Sequence, residues 1–269
     1  MTGRDEGRAG ALRSRGDVGE MFGRIAGRYD LMNRVMTGGR DVAWRRLTVR
    51  AALGGFAAGT ARVLDLATGT GDLAIALAVG GAGEVVGVDI AEPMLREAAL
   101  KVSGRAERPG TVAGVPVSWI VGDAMALPFD DGRFDALTVA FGLRNMPDYD
   151  GALREMARVL RPGGRLLVLE MTPLRAPEIG PLFGLYFTKV VPVVGGVLSG
   201  DYDAYRYLPA SVAAFPPARE LAAMMGRAGF GEVSYRLLGG GTVALHLGIR
   251  MEDGAADGQR ESAAPASTA

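Results

Sequence analysis

Short runs of aliphatic and β-branched residues alternate along this chain with longer segments whose apolar positions recur every three or four residues, the rhythm of strands alternating with amphipathic helices. The runs are Arg62 to Leu66, Glu84 to Asp89, Val117 to Val121, Phe134 to Phe141 and Arg165 to Glu170. Helical spacing starts at Asp72, spans about Pro93 to Val102 after a second run, and returns over Ala152 to Leu160, where Arg161-Pro162-Gly163-Gly164 stops it. Five strands separated by helices predict an α/β fold with a doubly wound, mostly parallel sheet. Before the first strand, Val18, Met21, Phe22, Ile25, Tyr29, Met32, Val35 and Met36 mark a helix from Asp17, and a second helix, about Val42 to Leu53, follows Gly38-Gly39. Their apolar stripe reads either as core or as a lid over a ligand. At the far end, a helix from Pro217 to Ala228 precedes strands near Val233 to Leu237 and Thr242 to Ile249, joined by three glycines as an antiparallel hairpin.

Composition then sets the limits. The first sixteen residues and the stretch 251–269 are rich in Gly, Ala and charge and poor in large apolar residues, so both are expected to be disordered tails, the first without the apolar core of a signal peptide. A single domain over 17–250 remains, with helices in 17–53 and a lid or substrate segment in 177–215. Within that segment Ile179 to Gly200 is nearly all apolar, but Pro181, Lys189 and Pro192 interrupt it, which favours a buried or membrane-touching helix over a transmembrane span. Thirty basic and thirty acidic residues cancel, so overall charge does not argue for a nucleic-acid partner. With no cysteine and one histidine, His246, neither thiol chemistry nor a histidine or thiolate metal site is expected.

Candidate chemistry centres on Arg62-Val63-Leu64-Asp65-Leu66-Ala67-Thr68-Gly69-Thr70-Gly71-Asp72, read as strand, glycine loop and helix start. Glycines there either serve turn geometry alone or let a ligand approach the backbone beside the unpaired N–H groups of the helix. The next run ends in Asp89, 18 residues after Gly71, near the spacing at which an acid meets ribose hydroxyls. Asp65, Asp89, Asp123 and the Phe141-to-Asn145 turn all fall at the carboxyl ends of strands, where such sheets bind ligands.

LDLATGTGD, VVGVDIAEPML, GDAMALPF, FGLRNMPD and RVLRPGGRLLVLE, in this order, resemble the class I S-adenosylmethionine-dependent methyltransferases. Within these, FGRIAGRYDLMN, FGLRN, DYDAYRYLPASVAAFP and TVALHLG are similar to the ubiquinone/menaquinone biosynthesis C-methyltransferases, from about Val18 to Ile249. The resemblance implies a Rossmann-like methyltransferase sheet, S-adenosyl-L-methionine as cofactor and a polyprenylated quinol as substrate. Gly69, Thr70 and Gly71 would lie against the amino-acid end of the cofactor, Asp89 would hold the ribose diol, and Asp123 with Ala124 would flank the adenine. Ala140 stands where some relatives have serine, and Thr68 where glycine is common. A nicotinamide or flavin enzyme is the competing reading, because Gly69-x-Gly71-x-x-Ala74 also fits a dinucleotide fingerprint. An acid ending the third strand before Ala126-Leu127-Pro128-Phe129, and PGG before the fifth, favour methyl transfer.

The implied reaction is C-methylation of demethylmenaquinol, with a ubiquinone-precursor benzoquinol as the alternative acceptor. Arg144 is expected beside the developing phenolate, oriented by Asn145, unless the two only cap their turn. His246 is a candidate base, although a lone histidine in an apolar strand is more often packed and hydrogen-bonded. The expected location is cytoplasmic, with peripheral membrane contact at the inner face and a homodimer left open.

Overall fold

The computed structural model describes residues 15–104, 110–173 and 202–252. The apolar stretch Ile179 to Gly200 and both tails through residue 14 and from 253 lie outside the described residues. The N-terminal pair is α1 (Arg15–Thr37) and α2 (Arg40–Leu53), separated at Gly38 and Gly39, whose φ angles of 58° and 75° end one helix and start the next. Then come β1 (Arg62–Leu66), α3 (Asp72–Val79), β2 (Glu84–Asp89), α4 (Glu92–Ser103), β3 (Thr111–Val112), β4 (Val115–Val121), β5 (Phe134–Ala140), α5 (Tyr149–Val159), β6 (Leu160–Met171), α6 (Tyr202–Ala214), α7 (Ala218–Arg227), β7 (Phe230–Leu238) and β8 (Val243–Arg250).

One sheet runs in the order β3-β4-β2-β1-β5-β6-β8-β7. The five parallel strands β4, β2, β1, β5 and β6 are those expected from the runs, and β8 and β7 add the antiparallel hairpin. Two departures are local. The Gly/Pro-rich approach to β4 contains the two-residue strand β3, antiparallel to β4. The Pro162-Gly163-Gly164 stretch interrupts a strand that has already begun: Leu160 pairs with Phe134, the next pair is Arg165 with Ala136, and Gly163 sits at φ 73° in the excursion.

Alternation within each strand divides the core. Leu64, Leu66, Val86, Val88, Leu137 and Val139 face α5 and α7, with Met156, Leu221 and Met225 packed against them. Val63, Val85, Val117, Ala136 and Leu167 face α2 and α3, against Ala52, Leu73, Ala74 and Leu77. A parallel strand covered on both faces must be apolar at nearly every position, which is why β1 reads as a continuous run and why a polar residue inside it is costly. Asp65 is that residue. From β1 the chain winds outward to β2 and β4 on one side and to β5 and β6 on the other, so a crevice opens at the carboxyl edge between β1 and its neighbours.

Candidate cofactor and substrate site

Two adjoining cavities occupy this crevice. The larger is lined by Phe22 and Tyr29 of α1, Ala67 and Gly69 after β1, Asp89, Met94, Asp123, Ala124, Ala140 to Gly142, and Asn145. The smaller and more polar one runs beneath Tyr29 between Asp30, Asn33, Arg45, Asp65 and Thr68 to Thr70. Gly69, Ala67, Tyr29, Ala140 and Phe141 border both.

Asp89 is held by the backbone it serves. One carboxylate oxygen accepts the Gly69 N–H at 2.8 Å and the other accepts the Ala91 N–H at 2.9 Å. Burial pushes its pKa up against these bonds. The glycine loop and the end of β2 are thereby locked to one another, with carboxylate lone pairs left to face the larger cavity. Asp123 is organised in the same manner: its carboxylate accepts the Met125 N–H at 2.9 Å, and a bridge between Asp123 and Ala126 tightens the turn. The segment beyond it is clamped by α5, where Glu155 accepts the Leu127 N–H at 2.7 Å and Arg158 donates to the carbonyls of Leu127 and Phe129. This is the structural use of the Ala126-Leu127-Pro128-Phe129 stretch: it fixes the wall formed by Asp123 and Ala124.

The three residues of the glycine loop part company. Gly69 and Thr70 border the smaller cavity, whereas Gly71 borders neither. A Cβ on Gly71 would lie 2.6 Å from the Trp119 indole and 2.9 Å from the Ala98 methyl, and its φ is 79°. Its lack of a side chain therefore serves packing of the loop against α4 and β4 and does not clear space for a ligand. Thr68, standing where glycine is common, has a task of its own. Its hydroxyl donates to one oxygen of Asp65 at 2.6 Å and the Thr138 hydroxyl donates to the other at 2.6 Å, so the buried acid in β1 is satisfied on both sides. Desolvation nevertheless raises the Asp65 pKa to about 6.

Arg144 and Asn145 lie in a 3₁₀ turn, Leu143–Asn145, directly after β5. The Arg144 guanidinium donates to Glu170 at 2.8 Å and to the Phe141 carbonyl, and the Arg144 backbone N–H also donates to Glu170, at 3.2 Å. Arg144 is thus bound into an ion pair behind the cavity wall and does not border the cavity, while Asn145 does. The Asn145 amide nitrogen points back to the Phe141 carbonyl at 3.5 Å, and its side-chain oxygen is buried without a hydrogen-bond partner. Ala67 and Phe141, at φ 50° and 57°, take up left-handed backbone on facing loops, a conformation that non-glycine residues adopt at a cost. Both line the cavities.

His246 is not part of this constellation. It sits in β8 between Val168 and Tyr235, 1% exposed, and its Nε2–H donates to the Ala218 carbonyl at 2.8 Å under the start of α7. It borders neither cavity. Burial lowers its pKa, so the ring is held neutral.

Three site residues have no individual role in the sequence reading. Tyr29 enters it as a position of the apolar stripe and within FGRIAGRYDLMN, with no role assigned; its phenol faces both cavities, and burial raises its pKa, keeping it protonated. Asp30 beside it and Glu170 at the end of β6 lie within stretches that carry the family resemblance, but nothing local marks their pairing, because their partners Thr70 and Arg144 are 40 and 26 residues away.

A doubly wound sheet with a glycine loop after β1, acids at the ends of β2 and β4 and a helical wall over the crevice is the architecture of a nucleoside-cofactor methyltransferase. Residues 10–250 match the ubiE/COQ5 methyltransferase family, and the chain belongs to that family. It is a methyltransferase, which disposes of the nicotinamide reading. Among curated relatives it is 50% identical to a demethylmenaquinone methyltransferase of Thermus thermophilus over 86% of this chain and all of that one. It is 43% identical to the demethylmenaquinone methyltransferase of Roseiflexus castenholzii, covering 87% of this chain and 93% of the relative, and 44% identical to the ubiquinone/menaquinone biosynthesis C-methyltransferase of Ectopseudomonas mendocina, covering 87% and 88%. Among solved structures, the [4+2]-cyclase SpnF superposes with a TM-score of 0.65 at 21% identity, covering 89% of this chain and 98% of that one. An S-adenosylmethionine-dependent methyltransferase of Thermotoga maritima gives 0.56 at 21%, covering 86% and 98%. These two establish the fold only; a cyclase on the same scaffold shows that reaction type resides in the site.

Proposed function

We propose that this chain transfers the methyl group of S-adenosylmethionine to a ring carbon of a demethylmenaquinol. The observation that carries the reading is the pairing of a polar cavity at Gly69 and Thr70 with a larger, mainly apolar one bounded by Asp89, Asp123 and Asn145. These residues fit the cofactor: the polar cavity suits its zwitterionic end, Asp89 its ribose hydroxyls and Asp123 the amino group of its adenine. The names of the Thermus and Roseiflexus relatives favour the naphthoquinol as acceptor.

When bound, the cofactor supplies a methyl carbon already activated by a sulfonium, so the protein's task is alignment and exclusion of water. Phe22 and Tyr29 of α1 cover the crevice from above, and Phe141 and Asn145 bound it at the end of β5. The quinol, unlike the quinone, has a hydroxyl that feeds electron density into the ring carbon beside it, and the carbon that gains the methyl group gives up its own proton to solvent as the ring regains aromaticity. Asn145, with its buried unpartnered oxygen, is the group that would accept from that hydroxyl, and the protonated Tyr29 phenol is a donor at the same cavity. Arg144 contributes positive charge from behind the wall, shared with Glu170. Among the described residues no helix is long and apolar enough to cross a membrane, and we place the enzyme in the cytoplasm, meeting its lipid-tailed substrate at the inner membrane face.

The deciding assay combines purified protein, radiolabelled S-adenosylmethionine and each demethylated quinone, with and without reductant under anaerobic conditions. Label should enter the reduced demethylnaphthoquinone. Faster labelling of a benzoquinol would reassign the acceptor, and equal rates with the oxidised quinone would remove the electronic argument. A benzoquinol acceptor is the second reading, supported by the dual name of the 44% identical relative.

A further inference from the structure

Beside the smaller cavity, one ammonium group ties three elements of the chain together. Lys101, in the last turn of α4, places Nζ 2.5 Å from an oxygen of Asp30 on α1, 2.9 Å from the Thr70 hydroxyl in the glycine loop and 2.7 Å from Asp72 at the start of α3. A lysine has three N–H donors, and each has an acceptor here. Thr70 in turn donates its hydroxyl proton to Asp30 at 2.5 Å. The other oxygen of Asp72 pairs with Arg45 of α2 at 2.9 Å, and Arg45 pairs with Asp41, which accepts from Thr37 at 2.9 Å. The network therefore runs from α4 through the loop to both N-terminal helices.

Its position gives it a role beyond holding helices together. Asp30, Thr70 and Asp72 all line the smaller cavity, and Tyr29 and Gly69, the residues just before Asp30 and Thr70, border both cavities. Lys101 itself borders neither cavity, yet all three of its partners line the smaller one. The acids of the network outnumber what Arg45 alone can balance: Asp30 and Asp72 both need Lys101, and burial of Asp72 is outweighed by the Lys101 hydrogen bond and the Arg45 charge, which together lower its pKa. Removing the ammonium would leave Asp30 and Asp72 facing each other across Thr70, so that like charges would push α1 off the glycine loop.

We propose that Lys101 is a positioning residue which fastens α1 over the glycine loop and so sets the affinity for the cofactor. The proposal rests on the reading of these cavities as the cofactor site. The group acts at a distance from the reacting carbon, so its loss should weaken cofactor binding and leave the rate at saturating cofactor nearly intact.

Lys101→Met keeps length and removes charge. In the full chain it should raise the calorimetric Kd for S-adenosylhomocysteine by about ten-fold or more, with kcat at saturating cofactor within about three-fold of the parent. Lys101→Arg should recover part of the affinity, and the ligand-free Lys101→Met protein should show faster hydrogen exchange in α1 than the parent. Asp30→Asn, nearly isosteric and relieving the repulsion, should weaken binding less in the Lys101→Met background than in the parent. Unchanged affinity and unchanged α1 exchange in Lys101→Met would overturn the proposal, as would equal losses in kcat and kcat/KM. If Lys101→Met does not fold, Asp30→Asn in the parent decides: cofactor affinity equal to the parent's would overturn the proposal. A parent that fails to bind S-adenosylhomocysteine would instead sink the cofactor-site reading, and α1 exchange would still test the fastening.

Discussion

The Arg144 guanidinium and the Glu170 carboxylate, 2.8 Å apart at the ends of β5 and β6, form an ion pair in which the arginine is 7% exposed and the glutamate 1%. Glu170 also accepts the backbone N–H groups of Arg144 and Met171, so the turn that presents Asn145 is built around this carboxylate. Breaking a buried pair by removing one partner leaves an uncompensated charge and costs about 3–5 kcal/mol. Arg144→Ala should therefore lose stability on that scale as well as activity, measurable as a lowered denaturant midpoint. Asn145→Ala should keep stability within about 1 kcal/mol, since a long, part-buried amide bond of 3.5 Å is all it gives up, and lose mainly kcat. If Asn145→Ala turns over like the parent, the polar contact to the quinol lies elsewhere.

Asp89→Ala removes acceptors for the Gly69 and Ala91 N–H groups along with the proposed ribose contact. Calorimetry should show S-adenosylhomocysteine affinity reduced by about ten-fold or more, given about 1.5–3 kcal/mol for each charge-assisted bond. Hydrogen exchange at Gly69 should accelerate in the ligand-free variant too; a purely ligand-dependent effect would contradict the lock seen between loop and strand.

For His246 the geometry predicts a structural effect. His246→Gln can still donate to the Ala218 carbonyl and should retain turnover within about three-fold, as measured under saturating substrates. Because burial lowers the folded pKa of His246, the unfolded chain takes up a proton first as pH falls below about 6.5, and the parent loses stability there. That loss should be absent from the glutamine variant. Abolished turnover in a folded variant would return the histidine to the reaction.

Asp65 works in the opposite direction. Its folded pKa of about 6 exceeds the unfolded value of 3.8, so the folded state holds the proton more tightly between those values. The associated stability is fully present below the unfolded pKa and is lost as pH rises through about 6. Asp65→Asn should flatten this component, seen as a smaller difference in unfolding free energy between pH 5 and pH 7.5 after subtraction from the parent. An unchanged pH slope would mean that the Thr68 and Thr138 hydroxyls compensate the charge completely.

Local signals made the parallel sheet and the glycine loop legible. The runs at β1 and β2 stand out because strands buried on both faces tolerate few polar residues, and Asp89 stands out because the next acid after the glycine loop arrives at the end of such a run. What stayed hidden depends on distant partners. Gly71 carries the same local signature as Gly69, and only the Trp119 ring, brought alongside by the pairing of β2 with β4, shows that one serves packing and the other borders the cavity. Arg144 was legible as a residue of the site's turn, but the Glu170 that claims its guanidinium is an acid at a strand end like several others. The short strand β3 escaped because two residues cannot establish a period.

The hairpin at the far side of the sheet carries a further consequence, for biosynthesis. β8 follows β7 in the chain but stands inside it, between β6 and β7. While residues 243–250 are still within the ribosome, β6 therefore presents an open edge from Arg165 to Met171, five of whose seven positions are apolar, Arg165 and Glu170 being the exceptions. An uncovered apolar edge is a template for pairing with another chain. The nascent protein thus passes through a stage in which the strand bearing Glu170 has been made and lacks its cover, and a chain halted before residue 243 should gather in aggregates while one halted after residue 250 stays in solution.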